Sequence, residues 1–405
     1  MRIRLLFLAL AGPLLISIVD FQAWATDPRF ATQLACVRQL INESLNLHSE
    51  TPHEFHLVTD SRDEFLLPED KMPWTAGYFA MENNGIAKRW QGKRVFEKKL
   101  LSEATPATLV KRLKNASVKE LDGLAATEKL DVALDLYDFP ITRTEVKMRG
   151  LGRARKPANW EGFCNGVCAA SILFREPQYP VTVINKAGIR IVFQPNDIKA
   201  LASASYFYVE KYAAINSPNK TEAKINLATI PNPGVFDYLL TQYLGKHNIP
   251  FVVDINPNPQ IWNHVIIGYN RKLGRITPYL ADPLATELAA APNGTAFTVK
   301  VQVKAQYTEN ITDDASNRPT VPKLRALDVD YVVEKSYTYR LFLDENRRVI
   351  GGAWPPGTKM APDLIWFPMG RGMDAEWGSN PYLDFDSIEK LVNASHDPNS
   401  SIQLF

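Results

Sequence analysis

From Asn159 to Ser171 the chain reads Asn-Trp-Glu-Gly-Phe-Cys-Asn-Gly-Val-Cys-Ala-Ala-Ser, and this stretch limits its folds more than any other. Ala169, Ala170, Ile172 and Leu173 extend it as an apolar helix, so Gly162-Phe163-Cys164 reads as that helix's N-terminus. A thiol there meets orphan backbone N–H groups and the positive end of the helix dipole, which favour the reactive thiolate. Further along, Ile261 to Tyr269, rich in Val, Ile and aromatics, reads as a strand carrying His264, and Tyr279-Leu-Ala-Asp-Pro283 carries Asp282. Cys, His and Asp in that order suit nucleophilic thiol chemistry, with the imidazole as base and the carboxylate orienting it. Taken alone, Cys164 and Cys168 also read as two small buried residues of a core helix, and His264 as a satisfied core histidine.

The turn chemistry predicts that His264 and Asp282 meet. If Lys272, Leu273 and Gly274 form a three-residue hairpin loop, with Gly274 at positive φ, the strands 262–269 and 276–281 pair so that His264 faces Asp282. Directly opposed residues share a face of the sheet, and a slip of one residue would separate them. Asp254, on the preceding strand, is the competing carboxylate. The oxyanion donors expected are the Cys164 backbone N–H and either Asn159 or the indole of Trp160, whose other reading is packing.

The remaining chain gives an α+β pattern, helices first and antiparallel strands afterwards. Helices are predicted over 29–46, from Thr105-Pro106 onward (Thr105 as N-cap), over about 117–137, from Cys164, over about 196–212 and over 233–246. A short strand is predicted near 189–193. Strands are predicted at 251–255, 262–269, 276–281 and 297–307, with a hairpin of 330–343 and 348–354 across Asp344 to Arg347. Residues 140–158, rich in Arg and Lys, read as a solvated loop. Residues 385–393 read as a closing helix followed by a disordered end.

Met1 to Arg4 is basic, Leu5 to Ile18 is apolar, and Ala23-Trp24-Ala25 fits a cleavage site. This predicts a signal peptide over 1–25 and a secreted or periplasmic product beginning at Thr26. The apolar run is shorter than the ~20 residues a membrane span needs. Forty-six basic and 44 acidic residues leave a net charge of +2, which gives no reason to expect nucleic acid or a membrane as partner. Three cysteines, Cys36, Cys164 and Cys168, are an odd number, so at least one thiol is unpaired and the fold rests on its core. His48, His53 and His56 near Glu50 and Glu54 lack zinc spacing, and no metal site is assigned. Asp313-Asp314 and Asp384-Phe385-Asp386 are the residues that could touch calcium, but neither is a recognisable loop ligand set.

At Trp160 to Gly166, at Trp262-Asn263-His264-Val265 with Leu280 to Pro283, and at Gly351 to Trp354 followed by Pro362 to Trp366, the chain resembles the transglutaminase-elicitor family of secreted proteins. The resemblance runs from roughly Leu101 to Pro368. The sequence departs from the family pattern at Asn165, Val167, Ala353 and Leu364 and keeps the cysteine. The resemblance implies a papain-like or transglutaminase-like core over 101–370, preceded by an N-terminal segment, 26–100, that could be a pro-region, and followed by a tail, 371–405. It implies a protein-glutamine acyltransferase. Cys164 would attack a glutamine side chain and release ammonia, and a lysine or polyamine would resolve the thioester. His264 would be the base and then the acid, Asp282 its orienter, and the chemistry would need no cofactor. The alternatives are a papain-like peptidase or deamidase, and a catalytically silent secreted binding protein.

Overall fold

The computed structural model describes residues 55–56, 63–91, 106–215, 230–283, 291–372 and 379–405. The signal segment, the helix expected at 29–46, Cys36, Thr105, His48 and His53 lie outside these residues.

One face of the molecule is helical. The helices are α1 (Pro106–Lys114), α2 (Val118–Asp122), α3 (Ala126–Ala133), α4 (Pro140–Met148), α5 (Cys164–Leu173) and α6 (Pro195–Ser205). The single helix expected over 117–137 is therefore two, separated where Gly123 follows α2. Residues 140–158 are not simply a loop. Asp131 caps α4 by accepting from the backbone N–H groups of Ile141 and Thr142. Arg149 is buried, bonded to Glu145 and stacked 4.7 Å from the centre of the Phe207 ring.

The sheet runs in the order β1 (Phe55–His56), β11 (Arg348–Ala353), β10 (Val332–Leu343), β9 (Phe297–Thr308), β7 (Asn263–Leu273), β6 (Val252–Asp254), β12 (Leu364–Gly372) and β5 (Val209–Ile215). Two further pieces join it: β2 (Glu64–Leu66) pairs with β7, and β8 (Thr277–Pro278) pairs with β9. A second sheet holds β3 (Val181–Ile184), β4 (Arg190–Phe193) and β13 (Ser401–Ile402), the last parallel to β3. Helix α7 (Pro233–Tyr238), which packs on β10 and β11 of the main sheet, continues as a π-helical turn to Leu244. Short helices α8 (Asp313–Ser316) and α9 (Val321–Arg325) follow β9, and α10 (Phe385–Ala394) closes the chain.

Alternation along the central strands divides the core in two. Val252, Val265 and Trp366 pack with Val167, Cys168 and the helices. Their neighbours Val253, Ile266 and Ile365 pack on the other face with α7. The α+β expectation holds, and so does the hairpin of β10 and β11, where the Asp344 carboxylate accepts from the N–H groups of Asn346 and Arg348.

Both flanks belong to this core. Trp74, Ala76 and Phe79, expected in a separate N-terminal segment, pack with α3, α5 and α6. From the expected tail, Phe385, Ile388, Leu391 and Val392 join the same cluster. The final residues, expected to be disordered, supply β13.

Candidate active site

Cys164 is the first residue of α5 and is buried. Two glycines on either side of it explain the local motif. A Cβ on Gly162 would collide with the carbonyl oxygen of Tyr78, which accepts from the Phe163 N–H at 2.6 Å. A Cβ on Gly166 would collide with the carbonyl oxygen of Ser203 on α6. The helix that carries the thiol can thus press against both neighbours only because these positions have no side chain. Asn165 in the same turn donates from Nδ2 to the Phe207 carbonyl at 2.8 Å.

Facing the thiol is the start of β7. Sγ lies 3.8 Å from the Ile261 carbonyl, to which the thiol donates, and Nδ2 of Asn263 donates to Sγ at 3.6 Å. Oδ1 of Asn263 accepts from the Trp366 indole at 2.8 Å. Asp254 is the register partner of Asn263 across β6 and β7, so its carboxyl projects from the same face. Its Oδ1 accepts from the Trp262 backbone N–H at 3.2 Å, while Oδ2 is buried without a hydrogen-bond partner. Trp262 in turn meets Tyr78 edge to face, with ring centres 5.4 Å apart.

The electrostatics follow from burial. The Cys164 thiol is pushed up from its ordinary range chiefly by burial and secondarily by the negative charge of Asp254. N–H groups of Asn263, backbone and side chain, and the backbone N–H of Asn165 oppose that rise. Asp254 is pushed up to about 8, first by burial and then by the nearby Asp363 carboxylate, against the Trp262 N–H bond. Both groups therefore carry their protons near neutrality.

His264 is the next residue on β7 and so leaves the opposite face. It is the register partner of Val253, which packs in the second core cluster. Nδ1 of His264 lies 2.6 Å from the Thr308 carbonyl, and since a carbonyl only accepts, Nδ1 carries the proton. Burial lowers its pKa.

The expected pairing of His264 with Asp282 does not form, because the predicted hairpin is absent. β7 runs on to Leu273, and the Gly274 N–H bonds to the Lys300 carbonyl at 2.8 Å. β8 then continues along the same edge of β9, with Thr277 opposite Thr298. The chain passes straight through the segment read as a turn. Arg271 explains this: it is fully buried and bonds Asp237 at 2.8 and 2.9 Å, so it belongs to the core strand rather than to an exposed loop. Asp282 accepts from the Thr298 hydroxyl at 2.6 Å and pairs with Arg340. His264 sits by Thr308 and Asp282 by Thr298, at opposite ends of β9, which at ~3.3 Å per residue puts them roughly 30 Å apart.

Of the expected oxyanion residues, Asn159 is exposed and its carbonyl accepts from the Tyr78 hydroxyl at 3.0 Å, while Trp160 is half-buried. The group that reaches the sulfur is Asn263, which the sequence reading passed over although it stands beside His264. Asp313 pairs with Lys88, Asp384 caps α10 through the Ser387 N–H, and Asp386 pairs with Arg371. No group of three or more His, Cys, Asp or Glu suited to a metal ion occurs among the described residues. Gly352 and Trp354 pack against α7, the indole donating to the Pro231 carbonyl at 2.9 Å.

Fold and site together define an α+β protein built around a buried cysteine at a helix N-terminus, faced by the central strands of an antiparallel sheet. The transglutaminase elicitor family model matches residues 58–397, and the chain belongs to that family. The match extends beyond the 101–368 of the sequence reading at both ends, in keeping with the packing of both flanks. A crystal structure of the GP42 transglutaminase from Phytophthora sojae has the same fold, with a TM-score of 0.61 at 19% identity, covering 87% of this chain and 96% of that one. No curated protein matches the chain.

Proposed function

We propose that this protein is a secreted transglutaminase-type acyltransferase whose nucleophile is Cys164 and whose proton acceptor is Asp254. The observation that carries the reading is the position of Sγ, held at the head of α5 against Asn263 with the Asp254 carboxyl on the same face. Family membership and the name of the structurally similar GP42 supply the reaction class. In the molecules whose Asp254 is ionised, a fraction that grows as the pH approaches 8, Asp254 takes the thiol proton, and Sγ bonds to the side-chain amide carbon of a glutamine in a protein or peptide. The carbonyl π pair moves to oxygen. Its return expels the amine, which takes the proton held by Asp254 and leaves as ammonia. A lysine or polyamine amine then attacks the thioester, and the thiol is restored. A carboxyl with its pKa near 8 suits both proton transfers. The basic-apolar leader and Ala23-Trp24-Ala25 support action outside the cytoplasm.

A second reading, a catalytically silent binding protein, is favoured by one observation: the imidazole of His264 leaves the sheet on the face away from Cys164. Incubating a glutamine peptide with the protein, with and without a primary amine, separates these. Acyl transfer gives a product of peptide plus amine minus ammonia. Fragments of the peptide would instead indicate a peptidase, and an unchanged mass in both incubations would leave the silent reading standing.

A further inference from the structure

We propose that Asn263 is the hydrogen-bond donor that stabilises negative charge at Cys164 and on the oxyanion of its acyl intermediate, and that Trp366 is the positioning residue that decides which end of the Asn263 amide faces the sulfur. The oxyanion part rests on the acyltransferase reading; the thiolate part does not.

An asparagine amide has an accepting end and a donating end, and they are close in size and shape. An indole N–H can only donate. The Trp366 indole lies 2.8 Å from one end of the Asn263 amide, so that end is oxygen. The NH2 end is then the one 3.6 Å from Sγ. Flipped, the amide would set donor against donor at Trp366 and turn its oxygen toward a developing thiolate. Asn263, Trp366 and Cys164 are all buried, so water is a poor substitute for any of these contacts.

Trp366 is itself held in place. It is the register partner of Val252 on β6 and of Ala214 on β5, and the Tyr212 ring meets it edge-on at 6.5 Å. The backbone N–H groups of Asn263 and, from the helix side, Asn165 also favour negative charge on the sulfur. The sulfur therefore sits among donors from α5 and β7, one of them set by a side chain two strands away in the sheet. When Sγ bonds to an acyl carbon, the oxygen that gains the electron pair is two bonds from the sulfur. It falls within reach of the same NH2 group.

Strand alternation makes this assignment specific. Residues 263 and 264 leave opposite faces of β7, so the strand can offer the thiol either the amide or the imidazole. In this register it offers the amide.

The test uses the mature chain in a Cys168→Ala background, with alkylation of Cys164 by iodoacetamide followed by site-resolved mass spectrometry across pH. Asn263→Ala should move the midpoint of Cys164 alkylation upward by about one pH unit or more, because a donor to the thiolate is lost. Trp366→Phe keeps an aromatic ring and removes the indole N–H together with the five-membered part of the ring. It should move the midpoint in the same direction by a smaller amount. Asn263→Asp should move it furthest, since a carboxylate then faces the sulfur. Acyl transfer by Asn263→Ala should fall by ~10²–10³ in kcat with little change in KM. An unchanged alkylation midpoint in both Asn263→Ala and Trp366→Phe would overturn the assignment. An alkylation midpoint that depends on Asn263, in a protein that transfers no acyl group, would support the thiolate role and overturn the acyltransferase reading.

Discussion

Asp254 gives the sharpest quantitative expectation. Its carboxyl is fully buried, Oδ2 has no partner, and its pKa stands at about 8 in the fold against an ordinary 3.8. A carboxyl whose pKa is raised by folding favours the folded state at low pH, because the folded form holds the extra proton. That contribution is complete below about 3.8 and is lost as pH rises through about 8. At ~1.4 kcal/mol per pH unit, keeping Asp254 protonated costs the fold roughly 2 kcal/mol at pH 5 and roughly 4 kcal/mol at pH 7. Asn at this position does not titrate. It brings its own unpaired N–H groups, a penalty of ~1–3 kcal/mol that is the same at both pH values. Asp254→Asn is therefore expected to gain stability relative to the parent by roughly 2–3 kcal/mol between pH 5 and pH 7, whatever its absolute effect at either. Urea unfolding of both proteins at the two pH values measures this double difference directly. A difference near zero would mean that Asp254 is charged in the folded protein at neutrality and that burial does not raise its pKa. The same variant should lose acyl transfer, so that stability and turnover move in opposite directions.

Cys164→Ala should abolish acyl transfer, with a loss of several orders of magnitude, while Cys168→Ala, whose side chain packs among Ala169 and the helical core, should retain it; a glutamine-peptide assay on both variants decides this. Asp282→Asn should cost ~1–3 kcal/mol in urea unfolding through its lost bond to Arg340, yet leave turnover per folded molecule near that of the parent. A large kcat loss in that variant would contradict the placement of Asp282 at the end of β9 away from His264. Gly162→Ala should displace the Tyr78 carbonyl from the Phe163 N–H and raise the rate of Cys164 alkylation as the covering segment loosens; an unchanged rate would show that the close approach at Gly162 does not govern access to the thiol.

The parts legible in the sequence were those in which one short segment decides its own conformation. The helix from Cys164 announces itself through an apolar run behind a glycine. The β10–β11 hairpin follows from Asp344, whose carboxylate satisfies the N–H groups of the turn without help from elsewhere. The motif segments that mark the family are local in the same sense. What the tertiary structure decided was which face each strand turns to the helices and where each strand ends. Arg271-Lys-Leu-Gly274 has the composition of a turn, but a buried Asp237 thirty-four positions earlier neutralises Arg271, and the strand continues through it. That single long-range ion pair removes the hairpin, carries Asp282 to the far end of β9, and leaves Asp254 as the carboxylate on the thiol's face. The choice between Asn263 and His264 is likewise beyond local reading. Alternation says that they point opposite ways, and only the packing of Val252, Val265 and Trp366 against α5 says which of them meets the sulfur.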